Sequence, residues 1–259
     1  MPTPTERAQE ILNSYGFEKP SQIVIEEIAN YETVIIEEAD LNGPLGQIYL
    51  TGDFALIKIE KSIREAGQRR FTEAHELGHY VIESVNGKFL SFLCTAEDIN
   101  SFLSNKKKES DANEFASELL MPREWYLKFI NRKEVSFDLI KECSSHFEIS
   151  LTAAAFKYAT IGIIPTALIM SEKGKVKWSV SNNYFPFKYI EKGVSINKNT
   201  PVYSIFQKEE YNPEKTLVPA SAWFSDDYNC KRTTYLYEQN VYMKNYNSVL
   251  TLLWKSEFE

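Results

Sequence analysis

Two of the chain's three histidines, His75 and His79, stand four residues apart, and a glutamate, Glu76, directly follows the first. On an α-helix, residues i and i+4 share a face with their Cβ atoms about 6 Å apart, so two imidazoles at that spacing reach one metal ion. Glu76 is turned about 100° around the helix axis from His75, which sets its carboxylate beside a water on that metal rather than among the ligands. Residues of these types at this spacing are the signature of zinc-dependent peptide hydrolysis. The competing explanation is a helix that carries two incidental histidines. With so few histidines, the five-residue pattern arises by chance in roughly a few of every thousand chains of this composition, so the chemical reading is preferred.

A tetrahedral catalytic zinc takes three protein ligands and leaves its fourth position for water. The segment ESDANEFASELLMP, residues 109–122, reads as a second helix ended by Pro122 and is where the third ligand is sought. With Glu109 set at zero and about 100° per residue, Ala112, Asn113, Ala116 and Leu120 fall within about 60° of it. Asp111 falls at about 200°, on the far face. Glu109 is therefore the expected ligand and Asp111 its solvated neighbour. Standing alone, Glu109 would read as an N-terminal charge that complements the helix dipole. The histidine pair upstream favours ligation.

The block RFTEAHELGHY, followed about thirty residues later by ESDANEFASELLMP, resembles the ImmA/IrrE family of bacterial metallopeptidases. The family pattern is approximately R-F-T-x-A-H-E-x-x-H, then E-x-x-x-N-x-x-A-x-x-L-L-M-P. Carried over position by position, the resemblance implies His75, His79 and Glu109 as metal ligands and Glu76 as catalytic base. It implies Zn2+ as cofactor, with another divalent metal such as Mn2+ as the alternative. It also implies a target: a helix-turn-helix repressor of a mobile element or stress regulon, cleaved to release transcription. One departure is Glu73, where the family more often has an aliphatic residue. It lies off the His75/His79 face, so a change in packing or solvent contact is expected there rather than in chemistry.

These residues need a scaffold, and the composition allows one. At 259 residues, 43% hydrophobic and 25% charged, the chain can bury a large core. No apolar run reaches 18 residues and the N-terminus does not read as a signal peptide, so a cytoplasmic location without membrane insertion is expected. Cys94, Cys143 and Cys230 are odd in number and far apart, which indicates neither a disulfide framework nor a structural zinc. They are expected to be small buried hydrophobes. A net charge of −7 argues against direct nucleic-acid binding. The basic run Lys106-Lys107-Lys108 reads as a solvated loop rather than a contact for an acidic partner.

The pattern predicts an α+β chain: a zincin-like N-terminal metallopeptidase unit with a small sheet and active-site helices (1–131), a helix-turn-helix-like linker unit (132–162), and an antiparallel-sheet C-terminal domain (163–259). In the first unit, a helix over 5–15 with Thr5 as N-cap and Gly16 as its stop is followed by a short helix over 21–29. Strands are expected over 33–38, 46–51 and 54–59, with turn signals at 42–44 and 52–53, forming a mostly antiparallel sheet. The histidine helix should span 68–84. Gly78 costs that helix roughly 1 kcal/mol against alanine, which points to close packing of the ligand helix over it. Residues 85–108, including apolar stretches at 89–93 and 99–103, fit no element clearly.

A helix from Pro122 to about 130 should be followed by helices over 136–147 and 150–159, each begun by a serine cap. Such a pair can read DNA, but its second helix carries one lysine and no arginine, so it is expected to pack or dock a partner. His146, at the end of the first of the pair, is expected to be structural. In the last domain, strands are expected over 167–170, 175–180, 201–206, 217–223, 235–243 and 248–254, with a hairpin turn at 172–174. Its position resembles the GAF-like sensor domain of IrrE-type proteins, which implies sensing or gating. Trp178, Trp223 and the tyrosines read as core aromatics before they read as a ligand pocket. The expected function is zinc-dependent endoproteolysis of a protein substrate, with a non-proteolytic, repressor-sequestering or toxin–antitoxin partner as the alternative. An intact Glu76 and ligand set favours the enzyme.

Overall fold

The computed structural model describes residues 2–51, 54–83, 92–95, 107–187, 190–208, 211–225, 227–231 and 233–255. The 52–53 turn signal, the stretch at 99–103, Lys106 and most of the stretch at 89–93 lie outside those residues. The chain divides into two compact units: residues 1–129 with 143–150, and residues 130–142 with 151–259. The stretch 132–162 is thus shared between them.

The first unit opens with helix α1, Pro4–Tyr15, whose N-cap is Thr3 rather than Thr5. The Thr3 hydroxyl accepts from Glu6 N at 3.1 Å and Glu6 Oε2 accepts from Thr3 N at 2.7 Å. Pro4 loses nothing in the first turn, where its missing N–H would be unpaired anyway. Gly16 ends α1 at φ 66°, the left-handed conformation expected of it. After a single turn at Pro20–Gln22, α2 spans Ile25–Tyr31.

Strands β1 (Val34–Ala39), β2 (Gly46–Thr51) and β3 (Phe54–Glu60) follow. Beyond α3 (Ala66–Glu83), the short strand β4 (Phe92–Cys94) adds a fourth member, giving the order β1-β3-β2-β4. The β2–β3 and β2–β4 pairings are antiparallel, whereas β1 runs parallel to β3. β4 was not foreseen. Three residues are too few for alternation to register, so only its partner identifies it as a strand.

Next come α4 (Lys107–Leu120) and α5 (Arg123–Ile130), broken apart at Pro122 as the sequence requires. Helix α3 lies between β2 and β3 on one side and α4 on the other, while α1 packs on α4. Arg70 anchors α3 by donating to Pro20 O, Ile23 O and Phe147 O at 2.7–3.2 Å and pairing with Glu148 at 2.6 Å. Near the start of α3, a Cβ on Gly67 would lie 2.7 Å from Ile149 Cα, so a glycine permits that approach.

Helix α6 (Phe137–Phe147) is capped by the Ser136 hydroxyl, which accepts from Leu139 N at 3.1 Å, and α7 spans Leu151–Ile161. The one lysine of α7, Lys157, is only 7% exposed, which leaves the helix without an exposed cation. His146 stacks on Phe129 with ring centroids 4.3 Å apart, a packing role.

The second unit is built on β5 (Thr166–Glu172), β6 (Lys175–Ser181), β7 (Thr216–Pro219), β8 (Tyr235–Met243) and β9 (Ser248–Lys255). They form an antiparallel sheet in the order β6-β5-β9-β8-β7, with α7 packed on β5 and β6. The β5–β6 turn has Lys173 and Gly174 at φ 52° and 76°, the mirror-image turn that suits strand twist. One expected strand is instead a helix, α8, Pro201–Phe206. Thr200 caps it by accepting from Tyr203 N, and Pro201 sits at its first position; this Thr-Pro start outweighs the β-prone residues behind it. The expected strand at 217–223 ends at Pro219 and gives way to a single helical turn at Ala220–Ala222. Phe185, Phe187 and Phe224 stack in this unit's core. Trp178 meets Phe156 edge-on, and Trp223 borders the core.

Candidate metal centre

The middle of α3 is buried although it is polar. His75 and Glu76 are 0% exposed, His79 is 2%, and Glu109, one turn into α4, is 7%. Burying so many polar groups costs several kcal/mol unless each finds a partner or a metal, so their arrangement decides what they are for. His75 and His79 sit on the α3 face that meets α4, and Gly78 is what lets α4 approach. A Cβ there would lie 2.9 Å from Phe115 Cδ1 and 3.3 Å from Ala112 Cα and O. The close packing expected at Gly78 is present.

The two helices bring three donor atoms together. His75 Nε2 and His79 Nε2 are 3.1 Å apart, and Glu109 Oε2 lies 3.3 Å from the first and 3.4 Å from the second. Bonds of about 2.0–2.2 Å at tetrahedral angles would place neighbouring nitrogen and oxygen ligands about 3.3–3.5 Å apart. The observed triangle matches the face of such a tetrahedron. Asp111 points away and pairs with Lys107 at 3.4 Å, with the Lys107 side chain 88% exposed.

Asn113, one turn beyond Glu109, orients the first histidine. Its Oδ1 accepts from His75 Nδ1–H at 2.9 Å, which turns the Nε2 lone pair toward the centre. In the sequence Asn113 appears only as an inward-facing residue of the second helix, and its partner is visible only once α3 and α4 are packed. Glu109 is buried, which would raise its pKa. The His75 and His79 imidazoles beside it prevail and hold its carboxyl well below the usual range.

Glu76 is placed differently. Both of its carboxylate oxygens are buried, and among the described residues neither makes a hydrogen bond of ordinary geometry. Burial pushes its pKa up to about 7, with His75 and the Cys94 thiol pulling the other way. The side chain lies against β2 at Gly46, where an added Cβ would come within 2.7 Å of Glu76 Cγ and Cδ. Gly46 therefore leaves room for the glutamate, a role that the sequence pattern does not reveal because β2 and α3 meet only in three dimensions. The buried carboxylate thus stands beside the three converging donors. Glu73 lies off this face and pairs with Arg69 at 3.1 Å, while burial pushes its pKa up.

Cys94 corrects the expectation of an inert small hydrophobe. Its sulfur lies 3.4 Å from His79 Nε2 and 3.9 Å from Glu109 Oε2, and the residue is 0% exposed. Ligand atoms of His75, His79, Cys94 and Glu109 all fall within 4.8 Å of one another. Neither Cys143 nor Cys230 belongs to this cluster.

A buried His/His/Glu cluster on two packed helices beside a sheet is an arrangement that could hold one metal ion. Residues 36–158 match the peptidase family model described as the IrrE N-terminal-like domain. Among solved structures, a Mycobacterium tuberculosis transcriptional regulator aligns with a TM-score of 0.62 over 97% of this chain and 76% of its own. At 13% sequence identity, that likeness shows a shared fold alone. No curated protein matches the sequence. Among the described residues no helix is long and apolar enough to cross a membrane.

Proposed function

We propose that the chain is a zinc-dependent endopeptidase in which His75, His79 and Glu109 hold the metal and Glu76 is the catalytic base. The observation that carries this reading is the triangle of three donor atoms at tetrahedral spacing beside a fully buried carboxylate. Zinc suits the two imidazoles and one carboxylate, with Mn2+ as the alternative ion. When bound, the metal supplies Lewis acidity toward the scissile carbonyl and the attacking water. Glu76 takes a proton from that water and passes it to the departing amine. Asn113 keeps the His75 ring from rotating away. An extended peptide can add to an edge of the first sheet through backbone hydrogen bonds, which are indifferent to side-chain sequence.

The substrate class we infer is a cytoplasmic helix-turn-helix repressor, cut to release a stress or mobile-element regulon. Support comes from the resemblance of the two sequence blocks and from the description of the structural neighbour as a transcriptional regulator. The test compares cells that express the wild-type chain with cells that express Glu76→Gln. An amide cannot accept the water's proton, so Glu76→Gln should keep its metal and lose cleavage. New protein N-termini should appear in a repressor of this class only with the wild type. Equal cleavage by both would remove Glu76 as the base. Full metal binding with no wild-type-dependent cleavage would favour a repressor-sequestering partner.

A further inference from the structure

We propose that Cys94 is a fourth, displaceable protein ligand that closes the metal centre in the resting state. The inference rests on the reading of His75, His79 and Glu109 as metal ligands and adds one bond to it. A tetrahedral centre with one sulfur ligand has nitrogen–sulfur and oxygen–sulfur edges of about 3.5–3.6 Å. Cys94 Sγ stands at 3.4 Å from His79 Nε2 and 3.9 Å from Glu109 Oε2, close to both. The sulfur therefore stands beside the donor triangle, with the four ligand atoms all within 4.8 Å of one another.

Its position is set by the backbone. Cys94 is the last residue of β4 and pairs in register with Gly46 of β2, while its carbonyl accepts from Leu45 N at 2.8 Å. Gly46 is the residue against which Glu76 packs. A single cross-strand pair thus makes room for the candidate base and delivers the sulfur beside it. Cys94 and Glu76 are each buried, at 0% exposed.

Closed four-ligand zinc sites are structural, whereas catalytic ones keep a position open. Here both states belong to one centre. Coordination by sulfur releases the thiol proton to solvent, and departure of the sulfur takes a proton back and yields the position to water or a carbonyl. Movement of the three-residue edge strand β4 would be enough to lift the sulfur away. Peptide hydrolysis then requires this opening as a step before chemistry.

The test uses the full chain and needs no substrate. Purified protein is loaded with one equivalent of Co2+ and its near-ultraviolet spectrum is read for a sulfur-to-cobalt charge-transfer band. X-ray absorption of the zinc form gives the metal–ligand distances. The band should be present in the wild type and in Cys230→Ser, and absent in Cys94→Ser and Cys94→Ala. The wild-type zinc form should show one sulfur at about 2.3 Å. Loss of the ligand should weaken metal binding at least as much as loss of an outer-shell partner, roughly 10- to 100-fold. Acetohydroxamate, a small probe of an open metal position, should bind the Cys94 variants more tightly than the wild type. Stoichiometric metal bound through nitrogen and oxygen alone would overturn the role of Cys94 and leave the peptidase reading standing. Failure of the wild type to bind either metal would remove both.

Discussion

Replacing Gly78 by alanine sets two effects of similar size against each other, and the structure decides between them. Considered as an isolated helix, α3 should gain about 1 kcal/mol, because glycine loses more backbone entropy than alanine on folding. Against this, the new methyl would meet Phe115 Cδ1 at 2.9 Å, about half an ångström inside ordinary contact, and the Ala112 backbone at 3.3 Å. Phe115 and Ala112 are both 0% exposed, so neither can swing into solvent. Overpacking of this kind costs about 1–3 kcal/mol, which outweighs the helix gain and leaves a net loss of about 1 kcal/mol. In a unit of this size the transition should fall by roughly 2–4 °C.

The displacement also has a chemical consequence. Helix α4 carries Glu109 and Asn113, so pushing it from α3 widens the donor triangle and weakens metal binding. Calorimetry of metal-free and metal-loaded protein would measure the first effect, and competition with a chelator the second. A rise in melting temperature close to the full helix gain, with metal affinity unchanged, would refute the claim that Gly78 is there for helix–helix contact.

Removing the Asn113 amide in Asn113→Ala should lower metal affinity by about 10- to 100-fold, and Asn113→Asp, which keeps an acceptor for His75 Nδ1–H, should recover most of it. Unchanged affinity in Asn113→Ala would show that packing alone orients the imidazole. A third prediction concerns pH and the second unit. Glu238 is 1% exposed and burial pushes its pKa up, although it accepts from Trp223 Nε1 at 2.7 Å and Asn240 Nδ2 at 2.8 Å. A raised folded-state pKa means that the folded form holds its proton longer. The stability Glu238 contributes is therefore complete in acid and declines as pH rises through that pKa. Glu238→Gln cannot titrate, so the melting temperature of the variant relative to the wild type should climb as pH is taken upward from about 4. A difference that shrinks over that range would reverse the assignment.

Much of the candidate site is legible along the chain because its geometry is local. The spacing of His75 and His79 follows from helical pitch, and the inward face of Glu109 against the outward face of Asp111 follows from the same 3.6-residue period. Strand-prone residues between turn signals made β2, β3, β8 and β9 readable, and Gly16 and Pro122 mark helix ends through their backbone chemistry alone. Local signals also compete, as at 201–206, where Thr200 and Pro201 start a helix in a β-prone stretch. Tertiary structure decided what depends on elements that meet from afar. It made β1 parallel to β3, placed the Asn113 carbonyl on His75, and set Glu76 against Gly46 across 30 positions of chain. Cys94 is the clearest case. Nothing in its neighbours distinguishes it from Cys143, because neither lies in a periodic metal motif. Only the pairing of β4 with β2 carries one of these two buried thiols to the histidines, and such pairing depends on contacts between residues distant in the sequence.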